Sequence, residues 1–252
     1  MNRAAWVLAV LAFAALLWAN AAAALGAHPP NFFDGALFLL QSIFAAQGLA
    51  PYREAGFVYP PGTAILFGQI PGLATPAAIR LAAWSLSLAL SLLNAALFGR
   101  LAPRPLPLAG FLLILAAQAL FWGDQGTEPI TPNLVIAILL LALHTQRHGP
   151  TPARLAALAA AATLCTLFRW DRALAIALML AGTAAILALA PRLIPSMRPA
   201  QPTLRHDARR LLAAATALAA GTALAGAIIL AHAALHDAIG ETLTWILVLP
   251  LA

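Results

Sequence analysis

The sequence contains no lysine and a single cysteine, and it is poor in charge of either sign: charged residues are 9% of 252. A soluble domain carries roughly a quarter. So little charge excludes a surface wetted on all sides. Cys165 lies in an apolar run with no second cysteine, so no internal disulfide can form and the residue reads as packing. What fills the chain instead is apolar: hydrophobic residues reach 63% and mean hydropathy is +0.90. This is the composition of an integral membrane protein. The net charge of +6 would suit nucleic acid, but the fourteen arginines are scattered between apolar runs rather than gathered on a soluble face. Nucleic acid is therefore not an expected partner. Basic residues that are all Arg, with so much Ala and Leu, point to a bacterial gene of high GC content.

Apolar runs place seven transmembrane helices, at about 4–25, 76–98, 105–122, 132–146, 153–168, 173–190 and 211–234. The first is longer than a signal-peptide core and reads as an uncleaved span, although the AAAALGA after it resembles a peptidase site. Thr75-Pro76 supplies an N-cap and a first-turn proline for the second span. Arg169-Trp170-Asp171-Arg172 breaks the chain between the fifth and sixth spans, and a basic linker, 191–210, carries four prolines. The expected fold is all-α: a polytopic membrane protein forming one membrane domain over 1–252, with one or two juxtamembrane helices in the first outer loop, 26–75.

Charge sets the orientation. With the N-terminus in the cytoplasm, ten arginines lie inside and four (Arg53, Arg80, Arg169 and Arg172) outside. That is the sense the positive-inside rule requires. Seven of the eight acids then fall outside, with only Asp207 inside. The segregation suits either ordinary polar loops or an acidic catalytic or metal face, and charge alone does not choose between them. The expected location is the bacterial inner membrane, with the functional face toward the periplasm or exterior.

The most informative stretch is 31–72. Asn31 is suited to N-cap a helix, Asp34 sits in the first turn where the helix dipole favours a carboxylate, and Gly48 supplies a left-handed stop. Phe33, Leu37, Leu40 and Phe44 recur at helical spacing, while Asp34 and Gln41 share another face. Such a helix beside a span is expected to lie in the interface plane. The run 63–70 reads as a second juxtamembrane or partly inserted helix, stopped by Pro71-Gly72.

In order, the stretch presents Asp34, Gly48, Pro51-Tyr52-Arg53 and Val58-Tyr59-Pro60-Pro61-Gly62. This order resembles the first outer loop of the C-type (GT-C) glycosyltransferases, polytopic enzymes that use polyprenyl-phosphate sugars and include protein mannosyltransferases and lipid A aminoarabinose transferases. The likeness continues more loosely through the spans. It departs in that family members often carry two adjacent acids where Asp34 is followed by Gly35. They are also commonly about twice as long, so the resemblance reads the chain either as a fragment, the N-terminal half of such an enzyme, or as a truncated form. The resemblance implies an inverting transfer from a polyprenyl-phosphate-linked sugar to an acceptor hydroxyl, with Asp34 as base or orienter of that hydroxyl. Arg53, Arg169 and Arg172 would meet the lipid phosphate, since guanidinium matches phosphate oxygens bidentately. Arg169 and Arg172 equally suit interfacial snorkelling with Asp171 as partner.

Some relatives hold a divalent cation with acids of the second outer loop, where Asp124 and Glu128 lie. Asp124 is the first candidate ligand there, and Mg²⁺ or Mn²⁺ the metal suited to oxygen donors. The spacing D-x-x-x-E is no metal signature, and other relatives need no metal, so the sequence requires no cofactor. Tyr52 and Tyr59 suit sugar contact or an interfacial role. His232 and His236 share a helix face but lack a third zinc ligand, and read as a polar helix end. Trp18, Trp122, Trp170 and Trp245 fall near span ends as interface anchors. The competing reading is a non-catalytic lipid-binding or transport subunit. Transporters place charge near the midplane, whereas these spans are nearly free of it.

Overall fold

The computed structural model describes residues 7, 11, 33–50, 53, 61–68, 70, 75–101, 130–194, 196–197 and 201–244. These residues are 89% helical and include no strand. The helices are α1 (Phe33–Ala46), α2 (Gly62–Leu66), α3 (Pro76–Leu101), α4 (Ile130–His148), α5 (Pro152–Phe168), α6 (Trp170–Leu193), α7 (Gln201–Leu235) and α8 (Ile239–Leu243). Four stretches are long and apolar enough to cross a bilayer: Leu81–Leu101 within α3, then α4, α6 and α7; α5 is a shorter apolar helix. The expected span 105–122, and 4–25 apart from residues 7 and 11, lie outside the described residues.

Proline and threonine set several of the helix starts. Pro76, Pro132, Pro152 and Pro202 each fall within the first three residues of α3, α4, α5 and α7. There the missing N–H would have had no intrahelical acceptor. Thr75 Oγ1 accepts from the Ala78 N–H (3.3 Å) to cap α3, and Thr151 Oγ1 accepts from the Arg154 N–H (3.3 Å) to cap α5.

Three boundaries differ from the sequence reading. α2 closes after only five residues. The expected tetrad break is one residue: Arg169, extended at φ −149°, ends α5 and starts α6, while Trp170, Asp171 and Arg172 form the first turn of α6. The 191–210 linker is helical from Gln201, so α7 runs 35 residues. Seven of its first ten residues are polar or charged, and hydropathy does not register them as part of a span. Backbone hydrogen bonding continues through them because Pro202 falls where no donor is needed.

The chain forms two compact units, 1–133 with 232–252, and 134–231. In the second unit α5 packs on α6 and crosses α7 through small residues. Thr163 Oγ1 donates to the Gly221 carbonyl (3.0 Å) and to Ala159 O of its own helix (2.9 Å). Thr166 Oγ1 donates to Thr222 Oγ1 (3.4 Å). At Gly221 a Cβ would collide with the Ala159 carbonyl oxygen and stand 2.9 Å from Ala162 Cβ. Ala217, Gly221 and Ala225 of α7 are all buried at four-residue spacing. Helices without a hydrophobic drive to associate in lipid pack through such small residues. The opposite side of α6 is apolar and open, with Leu178 65% and Ile186 67% exposed, which suits bilayer contact.

This crossing makes a paired prediction. Gly221→Ala is expected to destabilise the protein by about 1–3 kcal/mol through overpacking. Gly226→Ala, five residues on with nothing within 4 Å of the added methyl, is expected to be neutral or stabilising by up to about 1 kcal/mol. Thermal unfolding of the two variants in detergent checks both signs.

Candidate functional site

The first unit contains α1, α2, α3, the start of α4 and the segment after Ala231. α1 begins at Phe33, so Asp34 lies in its first turn. The helix stops in a left-handed C-cap: Gly48 has φ +76°, its N–H donates to Ala45 O (3.0 Å), and the Leu49 N–H donates to Phe44 O (2.9 Å). That pair of bonds closes the last carbonyls of the helix.

The side of α1 covered by protein is its polar side. Gln41 and Ser42 are fully buried and Ala45 nearly so, whereas Leu40 is 40% exposed. Gln41 Oε1 accepts from Thr63 Oγ1 of α2 at 2.9 Å. The chain after α2 presses on α1 at Gly68, where a Cβ would stand 2.7 Å from Ala64 O and 3.0 Å from Ser42 O. Position 34 falls on the Gln41 stripe, seven residues and nearly two turns earlier. The two short helices are thus locked together by the Gln41–Thr63 bond, with the chain at Gly68 set against Ser42.

Arg53 is exposed and donates from Nη1 to the His236 carbonyl at 3.0 Å. That carbonyl belongs to the end of α7. There Asp237 adopts φ +50°, the Asp237 N–H donates to Ala234 O (3.2 Å), and the Ala238 N–H donates to Ala233 O (2.9 Å). The motif is the one that ends α1, with Asp in the place of Gly. The His232 and His236 rings lie 4.8 Å apart, tilted by 47°. His232 Nε2 is buried without a hydrogen-bond partner.

In the second unit Asp171 stands between two guanidiniums. Its Oδ1 is 3.5 Å from Arg169 Nε and its Oδ2 3.2 Å from Arg172 Nε. Asp171 also gains from its place in the first turn of α6. The group is partly exposed, and Arg172 is 55% open.

Tyr52, Tyr59, Asp124 and Glu128 lie outside the described residues. Among the described residues no group of three or more His, Cys, Asp or Glu is placed to hold a metal. An Mg²⁺ or Mn²⁺ site therefore remains an expectation attached to Asp124.

The sequence reading missed a buried polar cluster between α3 and α4. Asn133 Nδ2 donates to Ser87 Oγ (2.9 Å), Ser91 Oγ to Asn133 Oδ1 (3.2 Å), and Asn94 Nδ2 to the Asn133 carbonyl (2.9 Å). All four residues are buried, and Asn94 Oδ1 has no partner. The available signal was spacing: Ser87, Ser91 and Asn94 recur at intervals of four and three, on one face of a span.

Comparison of the chain with protein-family models, with curated proteins and with solved structures finds no match.

The two left-handed caps give a second prediction. Gly48→Ala places a Cβ at φ +76° and is expected to cost about 1 kcal/mol. Asp237→Gly removes a Cβ from the same conformation and is expected to stabilise by a few tenths to about 1 kcal/mol. Asp237→Val should destabilise. Unfolding midpoints in detergent decide all three.

Proposed function

We propose that the protein is a membrane glycosyltransferase that moves a sugar from a polyprenyl-phosphate donor to an acceptor hydroxyl on the non-cytoplasmic face, with inversion. One observation carries this reading. The segment that resembles the first outer loop of the C-type glycosyltransferases forms two short helices locked face to face, with Asp34 in the first turn of the longer one. In the proposed reaction the acceptor oxygen attacks the anomeric carbon from the face opposite the phosphate. The carbon–oxygen bond to phosphate breaks, its electron pair leaves with the polyprenyl phosphate, and the hydroxyl proton passes to the Asp34 carboxylate.

The leaving phosphate needs positive charge. Arg53, Arg169 and Arg172 are the arginines assigned to it, and Tyr52 and Tyr59 are assigned to the sugar. In this reading the chain sits in the bacterial inner membrane with its N-terminus in the cytoplasm and its active site toward the periplasm.

A second reading, a non-catalytic lipid-binding or transport subunit, has one observation in its favour: the buried cluster of Ser87, Ser91, Asn94 and Asn133. Polar groups inside a bilayer mark pathways as well as helix contacts.

Asp34→Asn separates the two. Loss of a general base is expected to lower transfer from a labelled lipid-linked sugar by about 10²–10⁴-fold, with expression and membrane insertion unchanged. Full transfer activity in that variant removes the proposal.

A further inference from the structure

The second unit has a charged end that the proposed reaction does not use. Its helices alternate in direction. Arg154 Nη1 of α5 donates to His148 O (3.0 Å) and Gly149 O (2.6 Å) at the end of α4. Arg210 Nη1 of α7 donates to Gln146 O (2.7 Å). The end of α4, the start of α5 and the early part of α7 therefore meet. α6 turns back along α5 after the single residue Arg169 and, at 24 residues against 17, outruns it. Its last turn, with Arg192, thus belongs to the same end.

Six arginines gather there: Arg147, Arg154, Arg192, Arg205, Arg209 and Arg210, with Asp207 the one acid among the described residues of that end. Arg154 and Arg210 hold the helix ends together, whereas Arg192, Arg205 and Arg209 are exposed.

The length of α7 says where this end stands. At about 1.5 Å per residue, its 35 residues extend roughly 50 Å, against a hydrocarbon core of about 30 Å. The surplus of roughly 20 Å fits its first ten residues lying outside the core, seven of them polar or charged. Arg205 and Arg209 share a face. The same face continues into Leu212, 53% exposed, one turn below Arg209. α6 makes the same change, from exposed Ile186 and Leu189 to exposed Arg192. A surface that passes from guanidinium to leucine within one turn follows the change from phosphate to acyl chain.

We propose that this end is a docking surface for anionic phospholipid, the phosphate held by Arg205 and Arg209 and the acyl chains running down the face that begins at Leu212. Guanidinium is the group suited to bidentate phosphate contact, and a basic cluster at the end of a spanning helix recognises anionic headgroups. A bilayer lipid is the anion that reaches both parts of this surface at once, guanidinium and the leucine one turn below it, and a soluble anion or an acidic protein meets only the charged part. The inference rests on the chain spanning a bilayer, not on sugar transfer.

The test uses the full chain purified in detergent, with bound lipid counted by native mass spectrometry during titration with phosphatidylglycerol, phosphatidylcholine or inorganic phosphate. The parent protein is expected to retain phosphatidylglycerol in preference to phosphatidylcholine. Each arginine near an anionic surface contributes about fivefold, so Arg205→Gln with Arg209→Gln should weaken phosphatidylglycerol binding by about thirtyfold. Arg205→Lys with Arg209→Lys, which keeps the charge but not the bidentate contact, should fall between the parent and the double Gln variant, and phosphatidylcholine binding should not change. Equal retention of the two lipids by the parent, undiminished phosphatidylglycerol binding in the double Gln variant, or displacement of the lipid by equimolar inorganic phosphate would each overturn the proposal.

Discussion

A backbone carbonyl or side-chain amide that neither its own helix nor water satisfies must find another protein group, and that restriction governs how these helices end and meet. The last carbonyls of an α-helix have no intrahelical donor. α1 and α7 meet the need with left-handed caps at Gly48 and Asp237. α4 ends at Gly149, also left-handed, and draws guanidiniums from α5 and α7 onto four successive carbonyls, Gln146 to Gly149. Arg53 does the same for the His236 carbonyl at the end of α7. Basic groups at helix C-termini are favoured by the dipole as well as by the bonds. The chain's use of arginine alone fits this task, since a planar fork on a long stem reaches adjacent carbonyls while its charge stays near the headgroups.

The same restriction explains the contacts between helices. Lipid tails are as apolar as leucine, so apolar area alone does not draw one span to another, and close approach and hydrogen bonds must do so. Gly221 lets α7 lie against the backbone of α5, and Thr163 converts that approach into a bond to the Gly221 carbonyl. Gly68 and the Gln41–Thr63 pair do the equivalent in the outer loop. Ser87, Ser91, Asn94 and Asn133 exchange bonds among themselves. The abundance of alanine, which first reads as mere hydrophobicity, is what permits these approaches.

Local chemistry was legible in the sequence, and contacts between distant residues were not. The starts at Thr75-Pro76, the stop at Gly48 and the first-turn place of Asp34 follow from the conformational needs of one or two residues, and the structure has each of them. The start of α7 was missed because hydropathy measures what can enter a bilayer and not where a helix begins; residues 201–210 are helical and polar at once. The break at Arg169 was read too long because three charged residues within four look like a loop, although Asp171 is well placed in a helical first turn. The Gln41–Thr63 bond spans 22 residues and the Arg53–His236 bond 183; no local pattern encodes either. The buried Ser–Asn cluster was hidden by averaging, since a few uncharged polar residues barely lower the mean hydropathy of a span.

The arginines assigned to phosphate differ in what they hold already, and the difference bears on the proposed reaction. Arg53 donates to a neutral carbonyl, whereas Arg169 and Arg172 share a single carboxylate in a partly exposed setting. An exposed ion pair is worth only about 0–1 kcal/mol, which describes Arg172–Asp171, 55% and 41% exposed, better than Arg169, 28% exposed. A fully buried pair is held more firmly, because separating it leaves a desolvated charge behind. One carboxylate also leaves the Arg169–Asp171–Arg172 group with a net positive charge. The Arg172–Asp171 pairing is of the weak, solvent-screened kind, so snorkelling at the interface does not by itself oppose the phosphate contact proposed for Arg172.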